Sequence, residues 1–186
     1  MIFKPYKFTS LGLGAYLVET SAFSDKRGYF MEGYNKAIFA ENGINTDFVQ
    51  YNASRTNKGG IRGLHYQKDP HGQARFMRCV QGTVFDAAVD VRKGSKTFGQ
   101  YISATLSAEN KQALYLPRGF ANGILALSDE PATIVYLVDN YYFPKAETGL
   151  MWNDPDVNIK WPVTPKLISK KDQNWPSLKQ LKQQLG

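Results

Sequence analysis

The sequence contains few of the residues on which most metal and nucleophile sites depend. Among 186 residues there are two histidines and one cysteine. Cys79 therefore has no partner for an internal disulfide or a multi-cysteine zinc site, and its apolar neighbours predict a buried packing role. A three-histidine metal site is excluded, and position 67, two residues after His65, is Gln rather than a second histidine. We expect a protein that uses no metal and no cofactor.

Long hydrophobic runs and the common catalytic loops are also missing. The first ten residues, MIFKPYKFTS, lack the apolar stretch of a signal peptide, and no run approaches the length of a membrane span. We therefore expect a soluble, cytoplasmic protein with no membrane partner. No Gly-x-Ser-x-Gly turn, P-loop or dinucleotide fingerprint is present. The groups left for chemistry are His, Tyr and Asp/Glu for proton transfer, with Arg or Lys to hold an anion.

Positive charge is in excess: the chain has 23 Lys and Arg residues and 16 Asp and Glu residues, which gives a formal net charge of +7. Such a balance favours an anionic partner: a nucleic acid, an acidic surface or a phosphorylated small molecule. The lysines are spread along the chain and become more frequent only near its end. A solvent-exposed helix face accounts for that local excess. No helix-turn-helix, zinc-finger or aromatic-plus-basic RNA signature accompanies the charge, so we expect no nucleic-acid partner.

Short β-rich runs separated by turn residues extend to about residue 142, which predicts a mainly β protein. Many strands at this spacing are typical of a closed barrel or a jelly roll. Helical spacing appears at 34–42, with Gly43 as a C-cap, and in a tail that begins at about residue 176. We predict one domain over residues 1–186, with these strands: 16–20, 47–52, 60–67, 75–80, 83–91, 100–106, 112–117, 123–127 and 133–142.

His65 lies within the strand-like run GIRGLHYQ, at 60–67. Side-chain alternation places Ile61, Gly63 and Gln67 on the same face as His65, which makes that face half polar. On this pattern alone, His65 is either a satisfied core residue or a general base. A histidine base, a cationic or hydrogen-bond donor and an acid on the opposite side together suit the epimerisation of a carbon next to a carbonyl. His71, in the loop KDPHGQ, is interpreted as a surface residue.

Five ordered blocks make the sequence specific: GIRGLHYQ, FDAAVDVRKGSKTFGQ, LSAENKQALYLPRGFANG, NYYFPKAETGLMWNDPD and LISKKD. Together they resemble the dTDP-4-dehydrorhamnose 3,5-epimerase family, from about residue 25 to Asp172. The resemblance implies a jelly-roll (cupin-type) barrel and a homodimer. It also implies an isomerase whose substrate is a dTDP-linked 4-keto-6-deoxy sugar, epimerised at C3 and C5.

The resemblance also implies roles for individual residues. His65 matches the general base, Asp172 the carboxylate that orients it, and Tyr136 the acid on the opposite face of the enolate. Without the resemblance, Asp172 would be interpreted as a surface charge and Tyr136 as core. Arg62 would lie opposite His65 in a regular strand, so we expect a strand end or a distortion at Gly63. The positions that match substrate-binding residues are Arg27, Glu32, Gln50, Asn52, Arg62, Arg75, Asn122, Glu147 and Lys171.

Three positions depart from the family pattern. Arg75 stands where the family usually has Lys, Asn122 where it has His, and Tyr51 where it has Asp. Arginine keeps the charge but is larger and planar, and asparagine donates hydrogen bonds without titrating. These departures leave three alternatives open: an enzyme that inverts only C3, an epimerase of another nucleotide-linked 4-keto sugar, or a nucleotide-sugar binding module without turnover.

Overall fold

Strands dominate the computed structural model, which describes residues 5–185. The helices in this part of the chain are α1 (Lys36–Glu41) and α2 (Leu178–Leu185), and 3₁₀ turns lie at Pro144–Ala146 and Asp172–Asn174. The strands are β1 (Tyr6–Gly12), β2 (Ala15–Thr20), β3 (Ala22–Asp25), β4 (Gly28–Met31), β5 (Gln50–Thr56), β6 (Gly60–Gln67), β7 (Arg75–Gln81), β8 (Thr83–Asp90), β9 (Tyr101–Ser107), β10 (Ala113–Leu116), β11 (Phe120–Ala126), β12 (Ala132–Val138), β13 (Glu147–Gly149) and β14 (Leu167–Ile168).

Two sheets pack face to face. The first has the order β1-β2-β10-β7-β12-β5, and the second has the order β13-β6-β11-β8-β9, with β14 parallel to β6. One core cluster joins them, because Met77 and Leu114 of the first sheet pack with Val84 and Leu106 of the second. Strands β3 and β4 form a separate hairpin. The mainly β class with a few short helices that the sequence predicts is therefore confirmed.

Both predicted helices are present, each shorter than its sequence pattern. The Asn35 side chain caps α1 by accepting from the backbone N–H groups of Ala37 and Ile38. Gly43 follows this helix with a φ of 82°, as expected of a C-terminal glycine. At α2, Ser177 and Gln180 bond each other's backbone N–H groups, which forms a capping box.

The distortion expected at Gly63 is confirmed. His65 pairs with Asn122 and Arg62 pairs with Ile124, so three residue steps on β6 oppose two on β11. Gly63 has a φ of 124°, and a Cβ there would lie 2.6 Å from the Asn122 carbonyl oxygen. Only glycine fits this position. The irregular register lets Arg62 and His65 line the same cavity.

The structure also bears on two further expectations, the burial of Cys79 and the lack of a membrane-spanning helix. Cys79 is a free thiol with no solvent exposure, so its predicted packing role is confirmed, and burial raises its pKa. Within residues 5–185, no helix is both long and apolar enough to cross a membrane.

Candidate active site

Two adjoining cavities open between the sheets, with volumes of about 750 and about 320 Å³. His65, Arg75 and Tyr136 line both of them, so these side chains stand at their junction. All but two of the remaining predicted residues divide between the two. The larger cavity adds Arg62, Asn122, Lys171 and Asp172, and the smaller adds Gln50, Asn52 and Glu147.

His65 and Asp172 form a hydrogen-bonded pair, although they are 107 positions apart in the chain. The imidazole Nε2 lies 2.5 Å from Asp172 Oδ1, and the two side chains are 26% and 4% exposed. Burial raises the pKa of Asp172, but hydrogen bonds from His65, the Gly63 backbone and Trp175 outweigh that effect and hold it below its ordinary value. An ionised carboxylate only accepts hydrogen bonds, so Nε2 carries the proton and the other ring nitrogen is left basic.

Tyr136 and Arg75 approach the same space from the other sheet. Both lie on strands of the first sheet, β12 and β7, whereas His65 lies on β6 of the second. A phenol and an imidazole therefore reach the cavity from opposite walls. Burial lowers the pKa of the Arg75 guanidinium, yet an arginine stays protonated at any pH at which proteins are folded. The site thus holds a base, a phenol and a permanent cation.

A chain of polar contacts fixes the guanidinium. Arg75 Nη1 donates to Asn122 Oδ1 at 3.1 Å, and Asn122 Nδ2 donates to Asp86 Oδ1 at 2.6 Å. Asp86 is fully buried, and its Oδ2 has no hydrogen-bond partner among the described residues. Burial raises the pKa of Asp86 to about 8, against the opposing effects of Asn122 and Arg75. The sequence analysis does not identify Asp86 as a site residue. It is one of two acidic residues in the otherwise apolar segment FDAAVD, and nothing in the local pattern distinguishes it.

Polar side chains line the smaller cavity in a second network. Lys171 Nζ lies 2.5 Å from Glu147 Oε1, and the Tyr142 hydroxyl donates to Glu147 Oε2 at 2.6 Å. Burial raises the pKa of Glu147, and these two donors more than reverse the effect and lower it. Gln50 Nε2 donates to Asn52 Oδ1 at 2.9 Å. These residues could order the hydroxyl and amide groups of a polar ligand.

Cations line the larger cavity. Arg62 donates to Thr56 Oγ1 at 2.8 Å and to the Arg55 carbonyl at 2.9 Å, contacts that hold its guanidinium without neutralising it. Lys166 lies in the same lining, and neither cation has an acidic partner within the described residues. An anion is the ligand that such a lining favours.

Arg27 and Glu32 are the predicted residues that the chain does not bring to either cavity. Arg27 lies in the turn of the β3–β4 hairpin, where its guanidinium pairs with Asp25 at 2.6 Å and is 90% exposed. Glu32 follows the same hairpin, and its carbonyl accepts from the Tyr6 hydroxyl. Within one copy of the chain, these two residues therefore lie outside both cavities.

The arrangement is suited to proton transfer at carbon. It combines a hydrogen-bonded imidazole and carboxylate, a facing phenol and a fixed cation, groups that can remove a proton, return one and stabilise negative charge on an oxygen. Across residues 5–185, no group of three or more His, Cys, Asp and Glu side chains is placed to hold a metal ion.

Comparisons with known proteins agree on one family. The family model described as dTDP-4-dehydrorhamnose 3,5-epimerase matches residues 12–180. A dTDP-4-dehydrorhamnose 3,5-epimerase of Shigella flexneri is 49% identical over 159 residues, which cover 85% of this chain and 87% of that one.

Solved structures agree in fold. A dTDP-6-deoxy-D-glucose-3,5-epimerase of Legionella pneumophila, in complex with dTDP-4-keto-L-rhamnose, superposes with a TM-score of 0.91 at 36% identity and covers 97% of this chain and 96% of its own. A 3′-monoepimerase of Streptomyces bikiniensis, in complex with dTDP-quinovose, has a TM-score of 0.85 at 36% identity, with 92% and 87% covered. By sequence and by fold, the chain belongs to the dTDP-4-dehydrorhamnose 3,5-epimerase family.

Proposed function

We propose that the protein epimerises C3 and C5 of a dTDP-linked 4-keto-6-deoxy sugar, converting dTDP-4-dehydro-6-deoxy-glucose to dTDP-4-dehydro-L-rhamnose. The observation that carries this proposal is the placement of the His65–Asp172 pair and Tyr136 on opposite sheets, with one cavity between them. Inversion at carbon needs a proton to leave one face and another to arrive at the opposite face, and this geometry supplies both groups.

His65 takes the first proton. The ring nitrogen that is not bonded to Asp172 accepts the proton of the C–H bond beside the ketone, and the bond's electron pair moves into an enolate whose charge lies on the ketone oxygen. Asp172 stays ionised and stabilises the imidazolium that forms. The partly buried guanidinium of Arg75, held by Asn122, stabilises the enolate oxygen.

Tyr136 completes each inversion. Its hydroxyl gives a proton to the carbon from the face opposite His65, the enolate electrons return to form the C–H bond, and the ketone is restored. Solvent then returns one proton to the tyrosinate and removes one from the imidazolium. The same sequence serves C3 and C5, because both carbons neighbour the ketone at C4.

The remaining polar residues bind the rest of the substrate. Arg62 and Lys166 face the diphosphate, since guanidinium and ammonium groups without acidic partners attract phosphate oxygens. The network around Glu147 and Lys171, with Gln50 and Asn52, orders the remaining hydroxyl and amide groups.

We also propose a homodimer. The β3–β4 hairpin exposes Phe23, Tyr29 and Phe30 at 47, 53 and 72%, an apolar surface that a second copy would cover. In that dimer, the hairpin brings Arg27 and Glu32 to the other subunit's cavity. We place the enzyme in the cytoplasm, a reducing compartment in which the free thiol Cys79 persists.

The proposal is tested by incubating the protein with the keto sugar in heavy water and locating deuterium by NMR. Deuterium at both C3 and C5, with inversion at each, is the expected result. Deuterium at C3 alone would replace the proposal with a 3-epimerase, an alternative favoured by the likeness to the 3′-monoepimerase. Binding of the sugar nucleotide without any exchange would overturn the enzymatic proposal in favour of a binding module.

A further inference from the structure

Trp175 contacts the catalytic pair directly. Its indole Nε1 donates to Asp172 Oδ1 at 3.1 Å, and this is the same oxygen that bonds His65. The indole and imidazole rings meet edge to face, with centroids 5.8 Å apart. Asp172 begins a 3₁₀ turn, in which residues three apart eclipse, so Trp175 falls on the same side of the turn as the carboxylate.

The indole is held in place on its other sides. A Cβ at Gly149 would lie 2.5 Å from Trp175 Cδ2, so the bare backbone of β13 packs directly against the ring. Lys171 Nζ lies 5.5 Å from the ring centroid while it pairs with Glu147. The charged and titratable groups that contact the indole are His65 of β6, Asp172 of the 3₁₀ turn and Lys171 just before that turn. Glu147 of β13 acts on the indole only through its ion pair with Lys171.

We infer that Trp175 is a positioning residue, whose indole N–H shares the Asp172 oxygen with His65 and thereby limits how tightly the carboxylate holds the protonated imidazole. This inference rests on the proposed function for its kinetic consequence. A carboxylate that accepts one more hydrogen bond is less basic and releases the proton of its other partner more readily. Trp175 therefore weakens the hold of Asp172 on the imidazolium, in addition to fixing the ring by contact.

Trp175→Phe isolates the donor, because phenylalanine keeps an aromatic ring and lacks the N–H. We expect kcat/KM to fall roughly tenfold below neutral pH, as one hydrogen bond to a charged group is lost, with KM nearly unchanged. The acid limb of the pH profile should move to higher pH by about one unit, which corresponds to that tenfold loss. Trp161→Phe is the matched control, because the Trp161 indole donates to the Trp152 carbonyl at 2.9 Å and does not line the cavities.

A structural role alone would lower thermal stability in both variants and leave the shape of the pH profile unchanged in both. That result would overturn the inference. A profile that moves in Trp175→Phe and stays in place in Trp161→Phe supports it.

A second measurement follows the indole N–H resonances of the wild-type protein by NMR and needs no turnover. In ¹⁵N-labelled protein, the indole N–H resonance absent from Trp175→Phe belongs to Trp175. We expect it to titrate over the pH range of the acid limb and to stop doing so in His65→Ala, while the Trp161 resonance stays flat. If the Trp175 resonance titrates in a protein that has no epimerase activity, the coupling of Trp175 to His65 stands and the proposed function is rejected. A flat Trp175 resonance in an active enzyme would reject the inference alone.

Discussion

Replacing Asp172 by Asn tests how much the carboxylate contributes to proton removal. The substitution keeps the size of the side chain, removes its negative charge and places an amide where His65 now finds an acceptor. The two side chains meet at 2.5 Å, and the carboxylate is 4% exposed. Two unit charges about 4 Å apart near a protein surface attract by about 4 kcal/mol.

That attraction acts on the imidazolium formed as the substrate loses its proton. Because the imidazole is 26% exposed, solvent screens part of it, and a loss of about 2–4 kcal/mol is the reasonable range. At about 1.4 kcal/mol for each factor of ten, kcat/KM should fall between about 30-fold and about 1,000-fold.

The assay is the initial rate of deuterium entry at C3 and C5 in heavy water, followed by NMR, with sugar-nucleotide affinity measured separately. Asp129→Asn is the control, since Asp129 is 92% exposed, pairs with Lys58 and does not line the cavities. We expect its rate to match the wild type. A loss in Asp172→Asn of less than about threefold would refute the role given to the pair.

Three other substitutions have distinct outcomes. Tyr136→Phe should still exchange the α-proton through His65 but return it to the same face, so the ratio of exchange to inversion should rise by about 100-fold, measured by NMR of recovered substrate and product. Asp86→Asn tests the pKa of about 8 at Asp86. From about pH 4 to 8 the unfolded chain releases this proton and the folded protein keeps it, so wild-type stability falls as pH rises. The variant should flatten that slope by up to about 1.4 kcal/mol per pH unit in urea unfolding, and an unchanged slope would contradict the raised pKa. Gly149→Ala places a Cβ against both the Leu64 carbonyl oxygen and the Trp175 ring, so we expect at least about 2 kcal/mol less stability and a large loss of exchange. Wild-type stability in this variant would show that the contact relaxes at little cost.

The strands that the sequence predicts best are those with apolar β-rich runs bounded by turn residues. The range 60–67 matches β6 at both ends, and 83–91 exceeds β8 by one residue. The range 47–52 is misplaced, because β5 runs from Gln50 to Thr56 and its second half is polar. Strand β11 begins at Phe120, three residues before the predicted start, because Phe120, Ala121 and Asn122 already pair with β8.

The elements missed altogether are short or only partly buried. Strand β1 packs one side, with Tyr6, Phe8 and Leu11, against the core clusters, and the β3–β4 hairpin is mostly exposed. The short strands β13 and β14 exist only through their pairing with β6, a long-range interaction that no local pattern contains.

In the site too, contacts between residues far apart in the chain could not be predicted from local sequence patterns. His65 is conspicuous because histidine is rare in this chain, but its pairing with Asp172 spans 107 positions and was accessible only through the family resemblance. Gly63 is the exception, since the need to bring Arg62 to the His65 side predicts a distortion there, and the irregular register supplies it. Asp86 and Trp175 carry no local signal, because their roles come from burial and from a neighbour in a 3₁₀ turn.

The deuterium exchange of His65→Ala tests the central claim most directly. With the melting temperature and dTDP affinity preserved, the account predicts no deuterium at C3 or C5 above the uncatalysed rate. Exchange at a rate close to that of the wild type, in a folded variant that still binds the nucleotide, would show that another group removes the proton and would contradict the account.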